Sequence, residues 1–271
     1  MKTIKNLLTI AGSDPSGGAG IQADLKAFSA TGSYGMSVIT GLTAQNTQGV
    51  QAIHPLPVEF VSAQLDSLFA DIQIDGIKIG MLGSADMMRT IAPYLTRFNG
   101  PIVLDPVMVA KGGASLMVAE SEQVLIDRLL PLAGLVTPNL PELAVLLGQP
   151  EAQNRQQMQQ QAQALINKGA QAVLVKGGHL VEQTSTDQTS ADFLLTAEGG
   201  HWFEAPRIDT ANTHGTGCTL ASAICSYWAQ NCDLVLAVQR AKDYIQAAIE
   251  QADQLNVGKG HGPVNHFYRL L

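Results

Sequence analysis

The residues best suited to chemistry lie on one turn, Asn212-Thr213-His214-Gly215-Thr216-Gly217-Cys218-Thr219. Gly215 and Gly217 lack a Cβ, so the backbone there can turn sharply and approach a ligand closely. The run that follows, Thr219 to Ala229, reads as a mostly apolar helix. A glycine-rich loop entering a helix leaves backbone N–H groups unpaired and aimed outward, with the helix dipole behind them. That is an anion site. A cysteine at a helix start is also expected to be shifted toward thiolate. The plain alternative is a turn that caps a buried helix, with Cys218 an inert thiol.

A second glycine-rich turn follows the first strand. Leu7–Ala11 reads as buried, then comes Gly12-Ser-Asp-Pro-Ser-Gly-Gly-Ala-Gly20, then an amphipathic helix from Ile21 to about Ser29. Gly18-Ala-Gly20-Ile-Gln-Ala23 fits the dinucleotide pattern formally. A dinucleotide site also needs a carboxylate at the end of the second strand, and Ser37–Gln45 contains none. No phosphate loop of the G-x-x-x-x-G-K-[ST] type occurs either.

The elements that must position these turns alternate along the chain. Strands are expected at Leu7–Ala11, Ser37–Leu42, Gly76–Ile79, Ile102–Leu104, Leu135–Thr137 and Ala172–Val175. Helical patterns lie at Val58–Ala70, Ala85–Phe98, Ser121–Leu130, Leu140–Leu147 and Arg155–Lys168. Such alternation, with near-continuous apolar strands, predicts an α/β fold with a mostly parallel sheet covered on both faces. After Gly177 come a polar loop at Glu182–Ser190, a hairpin around Ala197-Glu198-Gly199 and two closing helices, the second from about Leu234 to Asp253. No linker divides the chain, so residues 1–271 read as one domain. The glutamine run at 156–161 reads as a solvated helix face.

Ligands of open α/β sheets bind beyond the carboxyl ends of the strands. The residues there are Gly12-Ser13-Asp14, Gln45-Asn46, Gly80-Met81, Asp105-Pro-Val107-Met108, Pro138-Asn139-Leu-Pro-Glu142 and Lys176-Gly-Gly-His179. Each has an ordinary reading as a cap or turn residue; Asn139, for example, can simply cap the helix that holds Glu142. Together they place acids, amides and a lysine on one rim. An anion-binding helix start, carboxylates suited to Mg²⁺ and a lysine describe phosphoryl transfer without a phosphate loop. That reaction asks the protein to align, to neutralise charge and to help a proton leave.

Composition limits the alternatives. Of 271 residues, 46% are hydrophobic and 14% charged, which gives a large core and argues against disorder. A net charge of −7 and scattered Lys and Arg argue against nucleic acid as a partner. No apolar run approaches membrane-spanning length, and the first residues lead straight into a strand, so no membrane or leader is expected. Cys218, Cys225 and Cys232 recur without metal-ligand spacing and form no disulfide framework, which fits a cytoplasmic location. Cys225 and Cys232 read as buried or helix-end thiols.

At this point the motifs become specific. Thr9 to Lys26, Thr43-Ala-Gln-Asn46, Lys78-Ile-Gly-Met-Leu82, Asp105-Pro-Val-Met108, Thr137-Pro-Asn-Leu-Pro-Glu142, Lys176-Gly-Gly-His179 and the Asn212–Thr219 turn occur in one order, closed by Gly258-Lys-Gly-His-Gly-Pro263. In this the chain resembles the ribokinase-like superfamily, and within it the hydroxymethylpyrimidine/phosphomethylpyrimidine kinases of thiamine biosynthesis. The resemblance implies a three-layer α/β/α sandwich and transfer of phosphate from ATP, with Mg²⁺, to a hydroxymethylpyrimidine and then to its monophosphate. It implies that Gly215, Thr216, Gly217 and Cys218 form the anion hole, with Cys218 where sugar kinases of the superfamily carry an Asp base. It places Gly12, Asp24, Gln45, Met81 and Val107 at the acceptor. Asp105, Asn139, Glu142, Lys176, Thr213 and Lys242 fall on the ATP side, with Asp105 and Glu142 toward the metal, directly or through water. A homodimer is also expected. Physically, Gln45 offers a donor and an acceptor to a ring edge, Asp24 can accept from an exocyclic amine, and Met81 can pack on a ring face.

The nearest rival is a pyridoxine (vitamin B6) kinase of the same superfamily. In the members most like this chain that take pyridoxine, the position of Gln45 tends to be apolar, so Gln45-Asn46 favours the aminopyrimidine. A nucleotide-dependent oxidoreductase lacks its ribose carboxylate. A catalytically dead sensor sits poorly with intact Gly-Thr-Gly-Cys, Asn139, Glu142 and Lys176.

Overall fold

The structure, a computed structural model, describes residues 3–108, 119–178, 180 and 189–270. His179 and residues 182–188 of the expected polar loop lie outside them. Nine strands form one sheet, in the order β3-β2-β1-β4-β5-β6-β7-β8-β9. They are β1 (Asn6–Ser13), β2 (Tyr34–Asn46), β3 (Gly49–Pro55), β4 (Gly76–Ile79), β5 (Ile102–Leu104), β6 (Leu135–Val136), β7 (Val173–Val175), β8 (Thr189–Thr196) and β9 (Gly199–Pro206). From β2 to β7 across β1 every pairing is parallel, while β3, β8 and β9 join antiparallel at the edges.

The central strands are apolar because both faces are covered. On one face Leu8, Ile10, Ile77, Ile79, Ile102 and Leu104 meet α2 (Val58–Asp71), α3 (Ala85–Arg97), α5 (Leu140–Leu147) and α6 (Arg155–Asn167). On the other, Leu7, Val103, Leu135 and Leu174 meet α1 (Gly20–Ala30), α7 (Thr216–Ala229) and α8 (Leu234–Glu250). The expected three layers are present. β1 lies between β2 and β4, so the chain leaves β1 in one direction and returns on its other side. The switch opens a crevice at the carboxyl ends of β1 and β4.

Three departures have physical causes. β2 is far longer than Ser37–Leu42 and folds back as β3, an edge strand whose residues Gln51–Pro55 are exposed and so carry no apolar alternation. The helix expected at Ser121–Leu130 is α4 (Ala119–Val124), which widens into a π-turn at Leu125–Leu129 and tightens into a 3₁₀ turn at Leu130–Leu132. Pro131 has no N–H to continue the ladder. The last helix ends at Glu250, before a 3₁₀ turn at Ala252–Gln254.

Candidate active site

A cavity of about 800 Å³ runs along the carboxyl ends of the strands, within the range of small-molecule sites. Gly12, Gln45, Met81 and Val107 line one part; Asp105, Asn139, Glu142, Lys176, Thr213 and Lys242 line another. Gly215, Thr216, Gly217 and Cys218 lie on its wall. Fourteen of the fifteen residues expected at the site thus share one cavity, and Asp24 does not line it.

The anion site is built as its residue types require. Gly215 caps α7 with φ 76°, and a Cβ there would lie 1.7 Å from the Gly18 carbonyl oxygen. Only glycine fits the angle and the approach. No side chain caps α7; the Thr216 N–H reaches the Thr213 carbonyl at 3.4 Å, and the Gly217 and Cys218 N–H groups are left for a ligand. Opposite Gly217, an added Cβ would be 3.2 Å from Lys176 Nζ and 3.7 Å from Asp105 Oδ2. The helix start, a cation and a carboxylate therefore converge.

Lys176 follows β7 and donates to Asp105 Oδ1 at 2.8 Å, with Glu142 Oε2 at 3.8 Å. Thr137 Oγ1 donates to the same Asp105 oxygen at 3.2 Å. Burial would raise the Asp105 carboxyl, but Lys176 and then Lys78 outweigh it and hold it below the usual range. Burial would lower Lys176; Asp105 and Glu142 hold it above the usual lysine value instead. Glu142 is different: burial raises it to about 7 although Lys176 opposes, and the Asp105 charge adds to the rise. Asn139 and Glu142 form a reciprocal cap on α5, each side chain bonding the other's backbone N–H at 2.8 Å. The cap and the site are the same residues.

The donor set decides what metal chemistry fits. Among the described residues no group of three or more His, Cys, Asp or Glu is placed to hold an ion. Two carboxylates beside an anion site suit Mg²⁺, which keeps waters and leans on substrate phosphates. They do not suit a metal held by protein alone. A cation near Glu142 would favour its charged form.

Two expectations are corrected. Asp24, in α1, is fully buried beneath the cavity. It accepts from Lys78 Nζ at 2.8 and 2.9 Å, from Thr9 Oγ1 at 2.6 Å and from Ser222 Oγ at 2.7 Å. Its oxygens are occupied, so it supports the floor and does not bind an exocyclic amine. Cys218 is not biased toward thiolate. Burial pushes its thiol up to about 11, although the Lys78 ammonium and the Gly20 backbone pull the other way. The neighbouring Asp24 and Asp105 charges add to the rise. Cys225 is buried as expected, and Cys232 accepts from Arg240 Nη1 near the end of α7.

Several contacts at the site were not read from the sequence. Lys78 lines the cavity floor; a lysine within the buried run Gly76-Ile-Lys-Ile79 had to be paired, which was the available signal. Asp14 holds the first turn together through Ser16, Gly18 and Ala19, and His214 reaches it from the anion loop at 2.8 Å. Lys242, expected on the ATP side, lines the cavity and donates to Asp192, which also accepts from the Gly177 N–H. Arg207 ties β9 to the Gly178 and Leu180 carbonyls.

Residues 14–265 match the model of the phosphomethylpyrimidine kinase family. The chain belongs to this family. It is 52% identical over 269 residues to the hydroxymethylpyrimidine/phosphomethylpyrimidine kinase of Escherichia coli (strain K12), covering 99% of both. A crystal structure of phosphomethylpyrimidine kinase from Clostridium difficile 630 superposes with TM-score 0.78 at 41% identity, over 90% of this chain and 99% of that one. An ADP complex of Bacillus subtilis pyridoxal kinase superposes with TM-score 0.89 at 35% identity, over 99% and 100%. The fold is thus the ribokinase-like one and the chain is a kinase. Its anion loop, Asp105–Lys176 pair and capped α5 line one cavity. No helix among the described residues is long and apolar enough to cross a membrane.

Proposed function

We propose that this kinase transfers the γ-phosphoryl group of ATP to the hydroxymethyl oxygen of 4-amino-5-hydroxymethyl-2-methylpyrimidine, and a second one to the resulting monophosphate. The observation that carries the reading is Gln45. Its carboxamide lines the same cavity as the Gly215–Cys218 anion site, and it can answer an amine and a ring nitrogen side by side.

The phosphate side follows from the geometry. The N–H groups of Gly217 and Cys218 at the start of α7 take the oxygens of the transferring group. Lys176, held by Asp105, adds a cation beside them. Asp105 and Glu142 would hold Mg²⁺, in part through water, and when bound it neutralises charge on the phosphates. At transfer the bond from the γ-phosphorus to the bridging oxygen breaks, the bond to the acceptor oxygen forms, ADP leaves and the hydroxyl proton is lost. Cys218 stands at the anion hole to take that proton, as its thiolate. Residues 1–271 act as one domain, a reading supported by the unbroken nine-stranded sheet.

A second reading, pyridoxine or pyridoxal as acceptor, is favoured by the superposition on a pyridoxal kinase. Gln45 weighs against it, since those rings carry no amine beside a ring nitrogen. Product analysis with each acceptor separates the two.

A further inference from the structure

We propose that Lys78 is a positioning residue for the transfer step: its buried ammonium, pinned by Asp24 beneath the first turn of α7, is the counter-charge of the Cys218 thiolate. The inference rests on the proton-accepting role given to Cys218 above and deepens it.

Lys78 stands in β4, inside the apolar run Gly76-Ile-Lys-Ile79, and its side chain is wholly out of water. An ammonium in such a place is unfavourable unless an anion answers it. Asp24 answers it with both oxygens, at 2.8 and 2.9 Å. The head group has little room to move. A Cβ on Gly80 would lie 2.9 Å from Nζ, so the end of the strand closes directly over the ammonium. Lys78 nevertheless lines the same cavity as Cys218.

Asp24 also ties this cation to the helix that carries the thiol. Its Oδ1 accepts from Ser222 Oγ at 2.7 Å. Ser222 and Cys218 are four residues apart in α7, so they lie one above the other on one face of the helix. The Lys78–Asp24 pair is therefore fixed one turn from Cys218, in a dry part of the protein where charges are little screened.

Four charged side chains face the thiol: Asp24 from α1, Lys78 from β4, Asp105 after β5 and Lys176 after β7. Asp105 is turned toward Lys176 and Thr137. Next to burial itself, Lys78 acts most strongly on the thiol, and it favours the thiolate; Asp24 and Asp105 oppose it. Burial would also discharge Lys78, but Asp24, and after it Cys218 and Asp105, hold it above the ordinary lysine value. The cation is thus permanent. When the thiolate takes the acceptor's proton, the O–H bond breaks, an S–H bond forms, and the negative charge passes to the acceptor oxygen that attacks phosphorus.

The test is the rate at which iodoacetamide alkylates Cys218 in the full chain at one fixed pH. Peptide mass spectrometry reads it, with Cys232 as the internal reference, and kcat and ADP binding are measured beside it. Lys78→Met should slow Cys218 about three- to thirtyfold. A facing charge moves a pKa by about 1–3 units, and the greater nucleophilicity of a more basic thiolate returns about half of that in log rate. Asp24→Asn, which keeps the cation and removes its opponent, should instead speed alkylation. Mere loosening of the structure would speed both. The double variant Lys78→Met/Asp24→Asn leaves no buried charge unpaired and guards against failure of either single variant to fold. It should still alkylate more slowly than the parent, with kcat lowered by a similar factor and ADP affinity within about threefold. Alkylation in the double variant as fast as in the parent, or an unchanged kcat, would overturn the proposal. A parent chain that phosphorylates no pyrimidine, with alkylation rates moving as stated, would remove the acceptor reading and leave the counter-charge supported.

Discussion

The Lys176 ammonium stands 2.8 Å from the Asp105 carboxylate, across 71 residues of sequence, and directly beneath Gly217 of the anion loop. The pair couples two strand ends to the start of α7. Asp105 keeps Lys176 charged and in place; Lys176 keeps a buried Asp105 ionised. Lys176→Met should therefore lower kcat by about 10²–10³, the usual loss for one preorganised charge at a developing oxyanion. It should also lower stability, because Asp105 is left buried without its partner. Steady-state kinetics and urea unfolding check both. A variant within threefold of the parent in kcat would remove Lys176 from the transfer step.

The position of Cys218 makes a demand on pH. With its thiol pushed up to about 11, only a small fraction is thiolate near neutrality. If the thiolate takes the acceptor's proton, kcat should rise about tenfold per pH unit through the range where the thiol is mostly protonated. Cys218→Ala should lower kcat by about 10²–10⁴ and flatten that rise. ATP binding should hold, since the backbone N–H groups remain. An alanine variant within threefold of the parent, with the parent's pH profile, would leave the backbone as the main catalytic element. A loose phosphoryl-transfer transition state would permit that outcome.

Gln45→Met tests acceptor recognition in turnover. It should cost the aminopyrimidine about 1–3 kcal/mol in kcat/KM, the loss of a buried polar partner. Pyridoxine turnover should fall less or rise. Equal losses for both acceptors would show that Gln45 does not read the ring.

Much of this site was legible in the sequence, for a physical reason. Buried parallel strands are short apolar runs, so Gly76–Ile79 and Ile102–Leu104 announce their own ends, and the chemistry sits where those runs stop. What the sequence concealed was pairing through space. Asp24 and Lys78 are 54 residues apart, and nothing local says that one consumes the other. The Cys218 thiol was misjudged because the dipole of α7 is visible in the sequence and desolvation is not. β3 was missed because an exposed edge strand buries neither face.

Acid should destabilise the fold through His266, whose ring is buried against Thr219 Oγ1 at 2.9 Å. Burial, helped by Lys26, lowers its pKa from 6.5 to about 3. Above about 6.5 the ring is neutral in folded and unfolded chains alike and costs nothing. As pH falls below that, the unfolded chain gains a proton that the folded chain refuses until about 3. Stability then drops by up to about 1.4 kcal/mol per pH unit. Glu142, raised to about 7, works in the opposite direction between about 7 and 4.5. The readout is therefore the difference in unfolding free energy between the parent and His266→Gln from pH 7 to 4. The parent should lose more stability over that range. Parallel pH curves would contradict a neutral buried His266.

The central claim is that one cavity joins an aminopyrimidine alcohol to the γ-phosphate of ATP. The most direct test is product analysis by mass spectrometry after incubation with ATP and Mg²⁺, with free or monophosphorylated 4-amino-5-hydroxymethyl-2-methylpyrimidine or with pyridoxine as acceptor. The account predicts ADP together with the pyrimidine monophosphate and diphosphate, and slower turnover of pyridoxine. Absence of ADP with either pyrimidine, or phosphorylation confined to pyridoxine, would contradict it.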